Sequence, residues 1–175
     1  MNPDKPIEPQ TAYLAGGCFW GMEELLRQIP GVVATEVGYS GGDTLNPVYE
    51  QVKTGLTGHA EAIKVTFDPK TLTYRHLLFE FFRMHNPTTR NRQGNDAGSQ
   101  YRSAIFYLND EQQRIADEVI ATVNASAEWH ASVATEVAPF RKFSSAEDYH
   151  QDYLLKHPNG YTCHYVRKLG LGEIS

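Results

Sequence analysis

The sequence is poor in cysteine: among 175 residues only Cys18 and Cys163 are present, near opposite ends of the chain. A disulfide-stapled scaffold needs more thiols, and a thioredoxin-like dithiol needs two of them close together. Long apolar runs are missing as well, since no segment approaches the ~20 residues required to span a bilayer. The start, Met1 to Gln10, carries neither the basic leader nor the apolar stretch of a secretory signal. We therefore expect a soluble, cytoplasmic protein that does not engage membranes, with residues 1–10 as a flexible N-terminal tail. Positive charge is also in deficit. Sixteen Lys and Arg face twenty-one Asp and Glu, a net charge of -5, and no basic tract exists that would neutralise a row of phosphates. Nucleic acid is not an expected partner. Internal repeats and low-complexity segments are absent too.

What is present is enough apolar material, 41% of residues, for one substantial core. We expect a single domain over residues 1–175. Short β-rich runs alternate with amphipathic stretches. Strands are predicted over 11–15, 32–39, 60–67 and 103–108, with a weaker one over 133–138. Helices are predicted over 19–28, stopped by Pro30-Gly31, and over 74–84, where Leu77, Leu78, Phe81 and Phe82 share a face. A third helix follows Asn109 as its cap, with Ile115, Val119, Ile120 and Val123 as a core stripe. Ser144-x-x-Glu147 reads as a capping box for a last helix running through Leu155. Residues 85–100, rich in Asn and Gly, form a loop long enough to suggest function. The tail from His157 is turn-like. Strands that sometimes follow one another without a helix argue for an α+β fold, a two-layer α/β sandwich, rather than a doubly wound parallel sheet.

Residues 16–23, "GGCFWGME", place one of the two cysteines between a strand and a helix. The unpaired N–H groups and positive end of that helix would favour the Cys18 thiolate, which is how a nucleophile is made. The alternative is two inert buried thiols. Gly16, Gly17 and Gly21 would admit a substrate close to the backbone, although glycine also serves strand-to-helix turns sterically. Phe19 and Trp20 taken alone are more often core than pocket wall; beside a thiolate they would line a small apolar slot.

Five blocks in order carry a resemblance over nearly the whole chain: "GCFWG" (17–21), "GVVATEVGYSGG" (31–42), "PVYEQVKTGLTGHAEAIKVTFDP" (47–69), "HNPTTRNRQGNDAGSQYRSAIF" (85–106) and "HPNGYTCH" (157–164). Together they resemble the peptide methionine sulfoxide reductases of A type, which act on the S epimer of the sulfoxide. The expectation that follows is a mixed sheet with a ferredoxin-like core and a long irregular C-terminal segment. The resemblance implies Cys18 as attacking thiolate, Phe19 and Trp20 as the rings that hold the S-methyl group, and Glu61, Tyr49 and Tyr101 as groups serving the sulfoxide oxygen. It matches Asp96 to the family's Asn-Asp-x-Gly aspartate and Cys163 to its second cysteine, with Thr162 inserted in the Gly-Tyr-Cys pattern. Cys18 and Cys163 would form a disulfide, recycled by thioredoxin or, outside the cell, dithiothreitol. No cofactor and no metal are implied, and we expect a monomer acting on oxidised proteins or free methionine sulfoxide in protein repair.

The residue chemistry agrees with this without the family. A sulfoxide has a positive sulfur and a negative oxygen, so its reduction needs a thiolate for one and proton donors for the other. Glu61 serves only if it is neutral, which an apolar pocket would favour by raising its pKa above about 4.3. Tyrosine hydroxyls can donate to the same oxygen. Asp96 either binds substrate or anchors the long loop. Three rivals remain: a zinc hydrolase built on His59-Ala60-Glu61, whose P-C-x-x-C partner motif is missing; a cysteine hydrolase, which leaves Cys163 idle; and a binding module docking through Phe19 and Trp20.

Overall fold

In the strand Gln10–Gly16 (β1), Ala12 and Leu14 point to one side and Tyr13 and Ala15 to the other, and all four are buried. A strand apolar on both faces belongs at the centre of a sheet. β1 lies between Ala60–Phe67 (β3) and Ser103–Tyr107 (β6), antiparallel to both. Val32–Ser40 (β2) pairs antiparallel with β3, through a bulge between Val32 and Ala34. Two short strands flank these four. Glu136–Pro139 (β7) runs parallel to β6, and Phe143–Ser145 (β8) runs antiparallel to β2. The order across the sheet is β7-β6-β1-β3-β2-β8, so the sheet is mixed and the fold is α+β. This is the computed structural model of the chain, which describes residues 8–173. The expected tail over 1–10 thus lies mostly outside the described residues, and Gln10 already opens β1.

One face of the sheet, carrying Leu14, Val37, Ile63, Val65, Phe67 and Ile105, packs with the helices in the main core. Phe19–Arg27 (α1) contributes Phe19, Met22 and Leu26, and Tyr74–Met84 (α3) contributes Leu77, Leu78, Phe81 and Phe82. Thr73 caps α3 by accepting from the His76 N–H at 3.0 Å. Asp110–Ala125 (α4) is capped by Asn109, which accepts from the Gln112 N–H at 2.9 Å, and it buries Ala116, Val119 and Val123. The opposite face, carrying Tyr13, Ala15, Ala60, Ala62, Ala104 and Phe106, is covered by Phe140 from the β7–β8 connection and Phe143 of β8. Tyr13 and Phe140 stack with ring centroids 4.0 Å apart.

Four local expectations need correction. The capping box is not formed: Ser144 lies inside β8, and Glu147 instead precedes a single 3₁₀ turn, Asp148–His150. The helix that follows is only Tyr153–Lys156 (α5), because Asp152 is left-handed at φ 53° and breaks the run. The strand expected over 133–138 starts late. The Val133 N–H is taken by Asn124 Oδ1 and the Ala134 N–H by the Pro87 carbonyl, so neither is free for a ladder. Between β2 and β3, where no element is predicted, lies a short helix, Tyr49–Val52 (α2). The loop over 85–100 holds a hairpin of Arg92–Gln93 (β4) and Asp96–Ala97 (β5), followed by a 3₁₀ turn, Ser99–Tyr101. Residues 157–173 form no regular element, as expected of the tail.

Candidate active site

β1 ends at Gly16, and Gly17 turns the chain at φ +100° into α1. A side chain at Gly17 would be strained there and would meet Gln93 Cγ at 2.7 Å. Cys18 takes the N-cap position of α1 and is 8% exposed. The N–H groups of Trp20 and Gly21 reach its sulfur and lower the thiol pKa, as a helix N-terminus should. Burial outweighs them. Together with the negative charges of Glu61 and Asp96, it pushes the Cys18 thiol well above the ordinary cysteine range. The helix end thus favours the thiolate as expected, while burial opposes it and Cys18 rests as a thiol.

Glu61 lies on β3 opposite Tyr39 of β2, and it shares its side of the strand with Ile63 and Val65. It therefore faces α1, where its Oε1 accepts from the Phe19 N–H at 3.1 Å. Glu61 is 2% exposed, and that burial, assisted by Asp96 and opposed by the Phe19 N–H, raises its pKa to about 8. Its carboxyl is protonated at neutral pH.

Tyr49 opens α2, and its N–H donates to Glu147 Oε2 at 3.0 Å while the Tyr39 hydroxyl donates to Glu147 Oε1 at 2.9 Å. Glu147 thus seats α2 over the sheet. The phenol pKa values of Tyr49 and Tyr101 are both raised, first by burial and then by Glu61, with Cys18 also contributing to each. Cys18, Glu61, Tyr49 and Tyr101 therefore act on one another across one small volume, with Asp96 bearing on Cys18, Glu61 and Tyr101.

The two aromatic neighbours of Cys18 are placed differently. Phe19 is 1% exposed, against Tyr39 and His150. Trp20 is half-buried; its Nε1–H donates to His150 Nδ1 at 3.0 Å, and its ring stacks on Tyr153 at 3.7 Å. The indole is held at both its edge and its face.

Cys163 is brought to this region by the tail. Its Sγ lies 3.9 Å from the Gln93 carbonyl, 3.9 Å from Asp96 Oδ2 and 3.9 Å from His164 Nδ1. Tyr161 also donates its hydroxyl to Asp96, at 3.3 Å. The inserted Thr162 accepts from the His164 N–H at 3.1 Å and sits against Gly21, where an added Cβ would overlap its hydroxyl. Both cysteines are free thiols. His59, the ligand a zinc site would need, is fully engaged, accepting from the Gly42 N–H and donating to the Thr44 carbonyl. Among the described residues no three metal-ligating side chains cluster.

Sequence reasoning missed Glu147, His150, Tyr153, Gln93 and His164. Only Glu147 carried a signal, and it was misread as part of a helix cap.

The family model for peptide methionine sulfoxide reductase matches residues 10–174. The chain belongs to that family. Relatives place the reductase on the MsrA branch: "Peptide methionine sulfoxide reductase MsrA 1" of Mesorhizobium japonicum is 59% identical over 158 residues, 90% of each chain. Mxr1 from Saccharomyces cerevisiae in its reduced form superposes with a TM-score of 0.83 at 38% identity, covering 94% of this reductase and 95% of Mxr1. Mxr1 has also been solved in complex with Trx2. In that form it aligns with a TM-score of 0.59 at 27% identity, over 94% of each chain. The reductase is thus an oxidoreductase, a methionine sulfoxide reductase of A type. Among its described residues no helix is long and apolar enough to cross a membrane.

Proposed function

We propose that the reductase converts methionine-S-sulfoxide, free or within oxidised proteins, to methionine through Cys18, and that Cys163 then resolves the oxidised enzyme. The observation that carries this reading is the buried, protonated Glu61 carboxyl held against the first turn of the helix that Cys18 caps. Glu61 supplies its proton to the sulfoxide oxygen. Tyr49 and Tyr101 donate to the same oxygen and share the charge that develops on it. Trp20 and Phe19 provide the apolar wall for the S-methyl group, and Asp96 serves substrate binding beside them.

The atoms balance without any cofactor. Cys18 sulfur attacks the sulfoxide sulfur as Glu61 protonates the oxygen, the Cys18 thiol proton replaces the one Glu61 gives, the oxygen ends on Cys18 as a sulfenic acid, and methionine leaves with its sulfur reduced. Burial keeps the Cys18 thiol protonated at rest, and an ionised Glu61 would oppose the thiolate further. With Glu61 protonated that opposition is gone, so the acid and the nucleophile are set by the same proton. Cys163 then displaces the sulfenic oxygen as water, giving a Cys18–Cys163 disulfide. Thioredoxin reduces it by exchange, a reading supported by the Mxr1–Trx2 complex.

We also take residues 1–175 as one domain acting as a monomer in the cytoplasm. Support for one domain comes from the family match over 10–174 and one continuous sheet. A ferredoxin-like core in a two-layer sandwich is supported by the antiparallel order β6-β1-β3-β2, with α1 and α3 in one core beside it. The deciding experiment is incubation with each epimer of methionine sulfoxide plus dithiothreitol, counting methionine formed. Turnover of the S epimer alone is expected; turnover of neither would sink the reading.

A further inference from the structure

One buried base beside the second thiol has no task in the scheme above. His164 follows Cys163 in the tail and is 8% exposed. Its Nε2 stands 2.7 Å from the Gly16 carbonyl oxygen. A carbonyl only accepts, so Nε2 carries the ring proton, and Nδ1 of the neutral imidazole holds a free lone pair. That lone pair is on the side of Cys163, with Nδ1 3.9 Å from Sγ. Space for the ring comes from α1 and the turn before it: a Cβ on Gly21 would stand 2.5 Å from His164 Nδ1, and one on Gly17 would stand 3.1 Å from Nε2. The imidazole is thus seated by two glycines and a carbonyl that flank Cys18, while its other nitrogen addresses Cys163.

The electrostatics fit the same task. Burial pushes Cys163 above the ordinary cysteine range, so it rests as a thiol, a poor nucleophile until its proton is removed. The ionisable groups facing His164 are Cys163, Asp96, Arg167 and His85. Burial, assisted by Arg167 and opposed by the Gly16 carbonyl and Asp96, lowers the His164 pKa. The ring is neutral at pH 7 and ready to accept a proton. The other acceptors near Sγ are the Gln93 carbonyl and the Asp96 carboxylate. A carbonyl is no base at neutral pH, and the Asp96 oxygen nearest Sγ already accepts from the Tyr161 hydroxyl.

We propose that His164 is the general base of the resolving step, its Nδ1 taking the Cys163 proton as that sulfur attacks the sulfenic sulfur of Cys18. This rests on the reading of Cys163 as the resolving thiol. An S–S bond forms and the S–O bond of the sulfenic acid breaks. The oxygen leaves as water with a proton from Glu61, and the His164 proton passes through solvent to restore Glu61. Cys163 sulfur is oxidised and Cys18 sulfur is reduced by the same electron pair, so no further oxidant enters.

The test follows wild type and His164→Gln in single-turnover experiments with methionine-S-sulfoxide and no reductant, reading methionine release and loss of free thiols separately. The variant is expected to form disulfide about 10²-fold more slowly at pH 7, the usual scale of general-base catalysis. That deficit should narrow by about tenfold per pH unit on the alkaline side, as Cys163 ionises unaided. Any titration of Glu61 cancels in the ratio of the two proteins. A deficit that is the same at every pH would make His164 a mere structural prop, and an undiminished rate at pH 7 would remove it altogether; either overturns the proposal. Should the variant not fold, wild type alone decides. Its disulfide rate should be level from pH 6.5 to 7.5 and then fall by about half towards pH 8 as Glu61 titrates, whereas a climb of nearly tenfold per unit from pH 6.5 to 7.5 would show the thiol ionising without a base. Methionine release with both thiols of the wild type otherwise retained would overturn the parent reading of Cys163 and this proposal with it.

Discussion

The Phe19 main-chain N–H donates to Glu61 Oε1 at 3.1 Å, so the acid of β3 is tied to the residue next to the nucleophile. The contact engages Oε1 of the carboxyl. It also lowers the Glu61 pKa, yet burial prevails and holds it at about 8. The proton is therefore retained by exclusion of water and positioned by a backbone amide.

Replacing this acid should separate catalysis from stability. Glu61→Gln keeps the shape and cannot deliver a proton, so single-turnover methionine release should slow by about 10²–10⁴-fold. Wild-type release should fall as pH rises through about 8, and this limb should be missing in the variant.

The same pKa fixes the sign of a stability effect. Glu61 is raised on folding, so the native state holds a proton that the unfolded chain has released, and wild-type stability declines as pH rises from about 4.5 to about 8. The amide does not titrate. Denaturant melts of Glu61→Gln should therefore gain on wild type across that window, by on the order of 3–5 kcal/mol, and gain nothing further above it. A stability difference independent of pH would mean that Glu61 is charged in the folded protein.

Trp20 is clamped by His150 and Tyr153, which makes its orientation testable apart from its presence. Trp20→Ala should lower kcat/KM sharply, with a stability loss below the ~3–5 kcal/mol of a fully buried aromatic, because the ring is only half-buried. Tyr153→Leu should leave the indole in place but loosen it. Its effect should appear mainly in KM, with thermal melting as the control for folding.

The two thiols should differ in kind. Cys163→Ser should release about one methionine per enzyme without reductant and accumulate a sulfenic acid that a dimedone-type probe labels. It should turn over poorly with thioredoxin and better with dithiothreitol. Cys18→Ser should release no methionine. The reverse pattern would make the tail cysteine the nucleophile.

Gly21→Ala offers a test of the tail's seat. Alanine is the better helix former by about 0.5–1 kcal/mol, so propensity alone predicts a more stable protein. The new Cβ would, however, overlap the Thr162 hydroxyl and crowd His164. Expected is a variant whose melting temperature is little changed and whose disulfide forms slowly, measured as thiol loss after one turnover.

How much of this could be read from the sequence varied with the range of the forces involved. β1, β3, α1 and α3 were legible because alternation, helical spacing and stops such as Pro30-Gly31 and Asp68-Pro69 are local. α2 was not, since four residues complete barely one turn and its seat on Glu147 comes from 98 residues away. Ser144 and Glu147 had cap spacing, but pairing of Phe143–Ser145 with β2 took the serine into a sheet instead. The pull of the helix end on Cys18 was foreseeable from its position; the burial that overrides it was not. His150 and His164 were two among seven histidines, and nothing nearby in sequence indicates what a ring nitrogen faces across the fold.

The irregular tail also orders events at the ribosome. All six strands of the main sheet and the three long helices precede residue 146, and the segment that carries Cys163 comes only afterwards. Its attachments are to surfaces that must already exist: the Gly16 carbonyl for His164, the Arg83 carbonyl for the Arg167 N–H, and the main core for Leu171. Synthesis runs from the N-terminus, so Cys18 can be enclosed in its helix cap before the second thiol is available to it. The last part made is therefore the part that completes the redox pair.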